Sequence, residues 1–317
     1  MQYNQLGKAG IKLSELSFGS WVTFGKQYGV KEAKILMHYA FDQGVNFFDT
    51  AEVYAQGEAE VIMGQVLQDF QRSDIVIATK IFWGGKGPND TGLSRKHLIE
   101  GTKKSLKRLQ LDYVDLLFCH RPDPATPIEE TVMAMDSLIR GGYAFYWGTS
   151  EWKAEQIEKA HHAAKKLHCI PPSMEQPQYN LLNRETVQQE LLPLYDKYGL
   201  GLTVWSPLAS GILSGKYNNG MPKDSRLSHE VWLRPAHMQE EIIKVRNLMP
   251  IANELGCSMA QMAIAWCLKN PYVSSVILGA STIEQLQENL YALRVKRLLT
   301  DDILERINTA IGVIDVI

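Results

Sequence analysis

One pattern runs the length of this 317-residue chain and limits its fold more than any other. A short run of β-branched and apolar residues gives way to a turn, and a stretch with helical amphipathic spacing follows. The strand-like runs are 13–21 (LSELSFGSW), 44–51 (GVNFFDTA), 74–81 (DIVIATKI), 113–123 (YVDLLFCHRPD), 143–152 (YAFYWGTSEW), 172–180 (PSMEQPQYN), 200–209 (LGLTVWSPLA) and 273–281 (VSSVILGAS). Helices are predicted over 31–43, 58–69, 94–109, 128–141, 153–167, 185–198, 238–255 and 283–293. Alternation of this kind implies a parallel sheet with right-handed crossovers, and eight units close into a (β/α)8 TIM barrel. A doubly wound sheet is the rival, but no G-x-G-x-x-G follows the first strand.

Residues outside the repeat fit the same plan. Segment 2–13 (QYNQLGKAGIKL) reads as a hairpin turning at Gly7–Gly10 and capping the bottom of the barrel. Helices over 258–269 and 300–311 are additional. No low-complexity stretch or linker divides the chain, so residues 1–317 are expected to form one domain.

Composition narrows the partners. A formal net charge of -2 gives no electrostatic footprint for nucleic acid or an anionic membrane. No apolar run approaches the roughly 18 residues that a membrane span needs. The N-terminus lacks the charged-then-apolar layout of a signal peptide, so a cytoplasmic location is expected. The four cysteines (Cys119, Cys169, Cys257, Cys267) show no C-x-x-C spacing, which points to reduced thiols rather than zinc or disulfides. His161, His162, His168 and Cys169 do not share one helix face. A solvated helix is the expected reading there, and no metal is assigned.

Barrel enzymes carry their chemistry at the C-terminal ends of the strands. Asp49, Lys80 and His120 end the second, third and fourth strands, and Tyr54 follows the second. Singly, each has an ordinary explanation: a helix cap, a rim charge, a satisfied histidine. Four titratable groups at neighbouring strand ends are harder to explain so. Cys119 and His120 do not form a nucleophilic dyad, because adjacent strand residues point to opposite faces. A tyrosine beside a lysine is a tunable proton donor. Lys80 is expected to lower the Tyr54 pKa, Asp49 to hold Lys80 charged, and His120 to hydrogen-bond a substrate oxygen. None of these groups supplies a hydride, so a redox cofactor is required.

The motifs also carry a resemblance. DTAEVYAQGEAE (49–60), VIATKIFWG (76–84), YWGTSEW (146–152), EQPQYN (175–180), WSPLASGILSGKY (205–217), AIAWCLKN (263–270) and ILGASTIEQLQEN (277–289) together resemble the aldo-keto reductases. The likeness is strongest to bacterial relatives of voltage-gated potassium channel β subunits. It implies an NADPH-dependent reductase of aldehydes or reactive ketones, with Tyr54 as acid, Asp49 and Lys80 tuning it, and His120 orienting the carbonyl. Animal channel β subunits have asparagine at the place of His120, whereas most catalytic reductases have histidine. The alternative it carries is a redox-sensing subunit that docks on a potassium channel, and it also implies a homotetramer.

For the cofactor, the resemblance implies contacts from Ser20, Trp21, Gln27, Asp49, Ser150 and Gln176, with Tyr179 as an aromatic face. Trp205, Ser206, Pro207, Leu208, Ala209, Ser210 and Lys216 would follow the pyrophosphate. Gly279, Ser281, Gln285, Glu288 and Asn289 would surround the adenosine. Gly279 also lies at a strand-to-helix turn, a place suited to phosphate. Arg226 matches the residue that meets a 2′-phosphate. Glu151 replaces the arginine of the matched GTS-R-W pattern, and an acid there is expected to weaken an anion's binding. Trp21, Trp83 and Trp152, with Tyr54 and His120, are expected to wall the substrate pocket.

Overall fold

The computed structural model describes residues 1–312; residues 313–317, the end of the expected domain, lie outside the described residues. The chain opens with a two-stranded antiparallel hairpin, β1 (Tyr3–Gln5) and β2 (Lys12–Ser14). Eight strands follow: β3 (Leu16–Gly19), β4 (Phe47–Asp49), β5 (Val76–Ile81), β6 (Val114–Cys119), β7 (Ala144–Ser150), β8 (Met174–Gln176), β9 (Gly201–Val204) and β10 (Val273–Leu278). They pair in parallel in chain order, and β10 returns to β3, so the barrel is closed. All eight predicted strands are present, and the fold is the expected (β/α)8 barrel.

Two apolar layers hold it together, and the two-residue period of a strand decides which residue enters which. Phe47, Val76, Ala78, Leu116, Phe118, Met174 and Ile277 point into the barrel. Phe48, Ile77, Leu117 and Cys119 point outward into the larger core against the helices. Continuing the inward series by one step of two gives Asp49, Lys80, His120 and Gln176. The polar rim residues thus stand directly above the apolar filling.

Leu6 and Leu13 from the hairpin join the inner layer from the opposite end. Their entry depends on Gly7, whose φ is +56° and whose missing side chain lets the backbone touch Gly199 and Gly201 at the start of β9. The hairpin plugs the bottom, as expected from sequence.

Helix starts follow the capping chemistry written in the chain. Ser94, Ser258, Thr282 and Thr300 each accept a hydrogen bond from the backbone N–H three residues on. Three expectations need correction. The predicted helix over 185–198 is two pieces, a π-turn Thr186–Glu190 and a helix Leu192–Tyr198, because Pro193 lacks the N–H that a continuous helix would use. The helix predicted over 283–293 ends at Leu290, and a short turn, Ala292–Val295, follows it. His161 is not solvated: its ring stacks on Tyr198 with centroids 3.8 Å apart, and burial lowers its pKa to about 4. Among the described residues, no helix is long and apolar enough to cross a membrane.

Replacing Gly7 by alanine would place a Cβ 2.2 Å from the Gly199 carbonyl oxygen at a positive φ. We expect a loss of about 2 kcal/mol or more, read as a lower urea midpoint; an unchanged midpoint would contradict the close contact.

Candidate active site

At the C-terminal rim, Lys80 lies fully buried at the top of the inner layer. Its ammonium has three protons and three partners. Nζ donates to Asp49 Oδ2 at 2.5 Å, to the Thr50 carbonyl at 2.7 Å and to the Tyr54 hydroxyl at 3.2 Å. Gln176 Nε2 donates to the other Asp49 oxygen at 3.1 Å, fixing the carboxylate from the far side of the barrel. The loop beyond Tyr54 turns through three successive left-handed residues, Ala55, Gln56 and Gly57. Two are not glycine, and such strain is held by the surrounding fold and concentrates at functional loops.

These contacts settle the protons. The Tyr54 oxygen accepts from Lys80 and finds no acceptor of its own among the described residues, which leaves its O–H to donate into the cleft. Burial raises the Tyr54 pKa above its ordinary value of 10.0, against the pull of Lys80. Lys80 does pull it down, as expected, but desolvation of the phenol outweighs the neighbouring charge and the net shift is upward. Burial works against the Lys80 ammonium too, but Asp49 and then Tyr54 hold its pKa above the ordinary lysine value. Burial, then the charges of Lys80 and Arg121, keep His120 well below the usual imidazole range. His120 Nδ1 is buried without a partner. A buried N–H without an acceptor costs more than a bare lone pair, so the single proton belongs on Nε2.

The rim opens into a cleft of about 850 Å³. The Tyr54 and His120 rings stand 5.9 Å apart, with Trp83 5.2 Å from His120 and Trp21 6.4 Å from Tyr54. Trp21 meets Trp205 edge-on at 5.6 Å. Ser150, Gln176, Trp205, Ser206, Pro207, Leu208, Ser210 and Gln27 line the same cleft. So do Lys216, Arg226, Gly279, Ser281, Gln285, Glu288 and Asn289. Arg226 approaches Gly279, where a side chain would meet its guanidinium, and Asn289 donates to the Gly279 carbonyl at 3.5 Å. Arg226 is half-buried, and burial lowers its pKa. Lys216 stands close enough to repel it, and neither has an ion-pair partner among the described residues.

Five expected site residues do not line the cleft: Lys80, which reaches it through the Tyr54 hydroxyl, and four others. Ser20 is buried below it, its Oγ donating to Thr50 Oγ1 at 2.9 Å. Tyr179 turns away into the outer core, packs on Trp266 at 4.9 Å, and its hydroxyl accepts from Gln188 and Asn270. Trp152 is buried at 3% exposure. Ala209 belongs to the turn below Ser210. Glu151, the acid expected to weaken an anion's binding, does not line the cleft either. Its Oε1 accepts from Trp205 Nε1 at 2.7 Å and from the Gln178 N–H at 2.6 Å, bracing the cleft wall.

The sequence reading missed Arg121 and Trp232, which also line the cleft. Arg121 stood beside His120, but the in-out rule for strands stops at Cys119, where β6 ends. Trp232 lies in the excursion after β9, where no periodicity guides a reader. Its ring reaches Trp21 at 6.2 Å, and neighbouring Glu230 pairs with Lys26 at 2.9 Å.

Comparison with known proteins agrees with this geometry. Residues 15–311 match the aldo/keto reductase family. The chain belongs to that family. It is 58% identical to a probable voltage-gated potassium channel subunit beta of Arabidopsis thaliana, over 98% of this chain and 97% of the relative. A protein of the same description from Oryza sativa subsp. japonica is 56% identical over the same shares. Family membership implies oxidoreduction, and both relatives come from the channel-subunit branch expected from sequence.

In histidine-labelled protein, nitrogen NMR should find His120 neutral, with its proton on Nε2, from about pH 8 down to about pH 6. A titration midpoint near 6.5 would reverse this assignment.

Proposed function

We propose that this protein, acting as one unit over residues 1–317, reduces aldehydes and reactive ketones with NADPH. The reading rests on one observation above others: a buried ammonium, saturated by Asp49, Thr50 and Tyr54, leaves the Tyr54 proton directed into an aromatic-walled cleft. The reduced nicotinamide, when bound, supplies the hydride that these side chains lack.

The cleft suits that cofactor on its own chemistry. Among the described residues Lys216 and Arg226 form no ion pair and repel one another, with Glu230 a nearby negative charge on Arg226; an anion between the two cations would relieve that repulsion. Arg226 would take the 2′-phosphate, Lys216 and the turn at Ser206–Ser210 the pyrophosphate, and Gly279, Ser281, Gln285, Glu288 and Asn289 the adenosine. Ser150 and Gln176 would hold the carboxamide beside Asp49.

Each catalytic side chain then has one task. His120 Nε2–H donates to the carbonyl oxygen and polarises it. Trp21 and Trp83 exclude water from the apolar part of the substrate. As negative charge develops on the oxygen, Tyr54 delivers its proton, and the Lys80 ammonium steadies the phenolate left behind. Asp49 keeps Lys80 charged throughout.

The names of the two plant relatives favour a second reading, a channel-associated subunit that holds cofactor and turns over slowly. Assembly into a tetramer belongs with that resemblance. An NADPH-oxidation assay over aldehydes, ketones and quinones separates the two, since tight cofactor binding without turnover supports the second.

Tyr54→Phe should lower NADPH-dependent reduction by about a hundredfold or more while cofactor binding stays near wild type. Wild-type turnover in that variant would remove Tyr54 from the mechanism. Arg226→Ala should raise the Kd for NADPH by about tenfold or more relative to its effect on NADH. Equal weakening of both would exclude contact with the 2′-phosphate.

A further inference from the structure

Arg121 is a cation in the catalytic part of the cleft that the mechanism above does not use. It follows His120 directly, where β6 has ended and its side chain no longer obeys strand alternation. Nη1 donates to the His120 carbonyl at 2.5 Å and to Ser150 Oγ at 3.3 Å, so the guanidinium spans the tips of β6 and β7. Its Cζ lies 5.6 Å from the ring of Trp83, the indole that also flanks the His120 imidazole. The guanidinium, the imidazole and the indole therefore bound one small volume beside Tyr54.

What Arg121 lacks is an anion. Among the described residues it forms no ion pair, and its Nε and Nη2 protons have no hydrogen-bond partner. The nearby carboxylate, Asp49, is already held by Lys80 and Gln176. Bracing His120 and Ser150 uses Nη1 alone, which a neutral donor would serve as well. A half-buried guanidinium walled by tryptophan is costly without a counter-charge, and its planar fork matches a carboxylate better than any other small group. The cofactor phosphates do not need it, because Lys216 and Arg226 serve them.

We infer that the carbonyl substrates of this protein carry a carboxylate, received by Arg121 while Tyr54 and His120 address the carbonyl. The carboxylate and carbonyl are joined by a short acyl or aryl spacer lying against Trp83, with Trp21 and Trp232 enclosing it. The inference rests on the reductase reading and names its substrate class.

The test compares 4-carboxybenzaldehyde with 4-methylbenzaldehyde, close in shape but different in charge, on the NADPH-loaded protein. Wild type should prefer the carboxylate by about tenfold or more in kcat/KM, with the difference carried by KM. Added salt should raise KM for the charged aldehyde more than for the neutral one. In Arg121→Gln the preference should collapse, the charged substrate losing about tenfold or more beyond any loss for the neutral one. Arg121→Lys should recover part of it. A purely bracing arginine would instead lower kcat for both aldehydes in proportion, and that outcome, or a wild-type preference for the neutral aldehyde, overturns the inference. If wild type reduces neither aldehyde, the reductase reading fails by itself. Quenching of tryptophan emission by 4-carboxybenzaldehyde, and its loss in Arg121→Gln, then still decides whether Arg121 receives a carboxylate.

Discussion

A closed parallel barrel leaves each strand one register, and most of this structure depends on that constraint. Every strand pairs on both sides, so none can slide without moving its neighbours. Slipping β4 by one residue would exchange Asp49 for Phe48 at the rim and push a carboxylate into the outer core. The same two-residue step that sends Val76 and Ala78 inward also brings Lys80 to the mouth. Core and site are consecutive layers of one pattern, which is why a change in one is felt in the other.

Charge is handled in two ways at the mouth. Lys80 is fully buried, and each of its protons has a partner, so its cost is met inside the protein. Among the described residues, Arg121, Lys216 and Arg226 form no ion pair, although Asp224 and Glu288 line the same cleft. Glu230 joins Lys26, and Glu60 joins Arg108. Cations paired within the fold stabilise it, whereas cations left open in a cleft await something from outside.

Much of this was legible in the sequence because it follows from periodicity. The eight strands, the hairpin plug and the convergence of Asp49, Tyr54, Lys80 and His120 all come from counting along the chain and knowing where a barrel keeps its chemistry. What failed depended on quantities that no local pattern carries. The nearness of Lys80 to Tyr54 was readable, but the direction of the tyrosine's pKa was not, since desolvation sums over every group packed around the phenol. Tyr179 and Trp152 sit in loops beyond strands, where the side chain's direction is set by packing; both turned inward to the helices. The expected helix over 185–198 yielded to a single proline. Arg121 lay one residue past the strand's end, where alternation ceases to inform.

The hairpin at the bottom has one more consequence. With Leu6 and Leu13 stoppering one end and the apolar filling above them, the vessel has a single mouth. A ligand held against the inner layer can therefore approach it only from the rim. That one-sidedness is set by the plug and by the apolar filling together, at the opposite pole from the cleft.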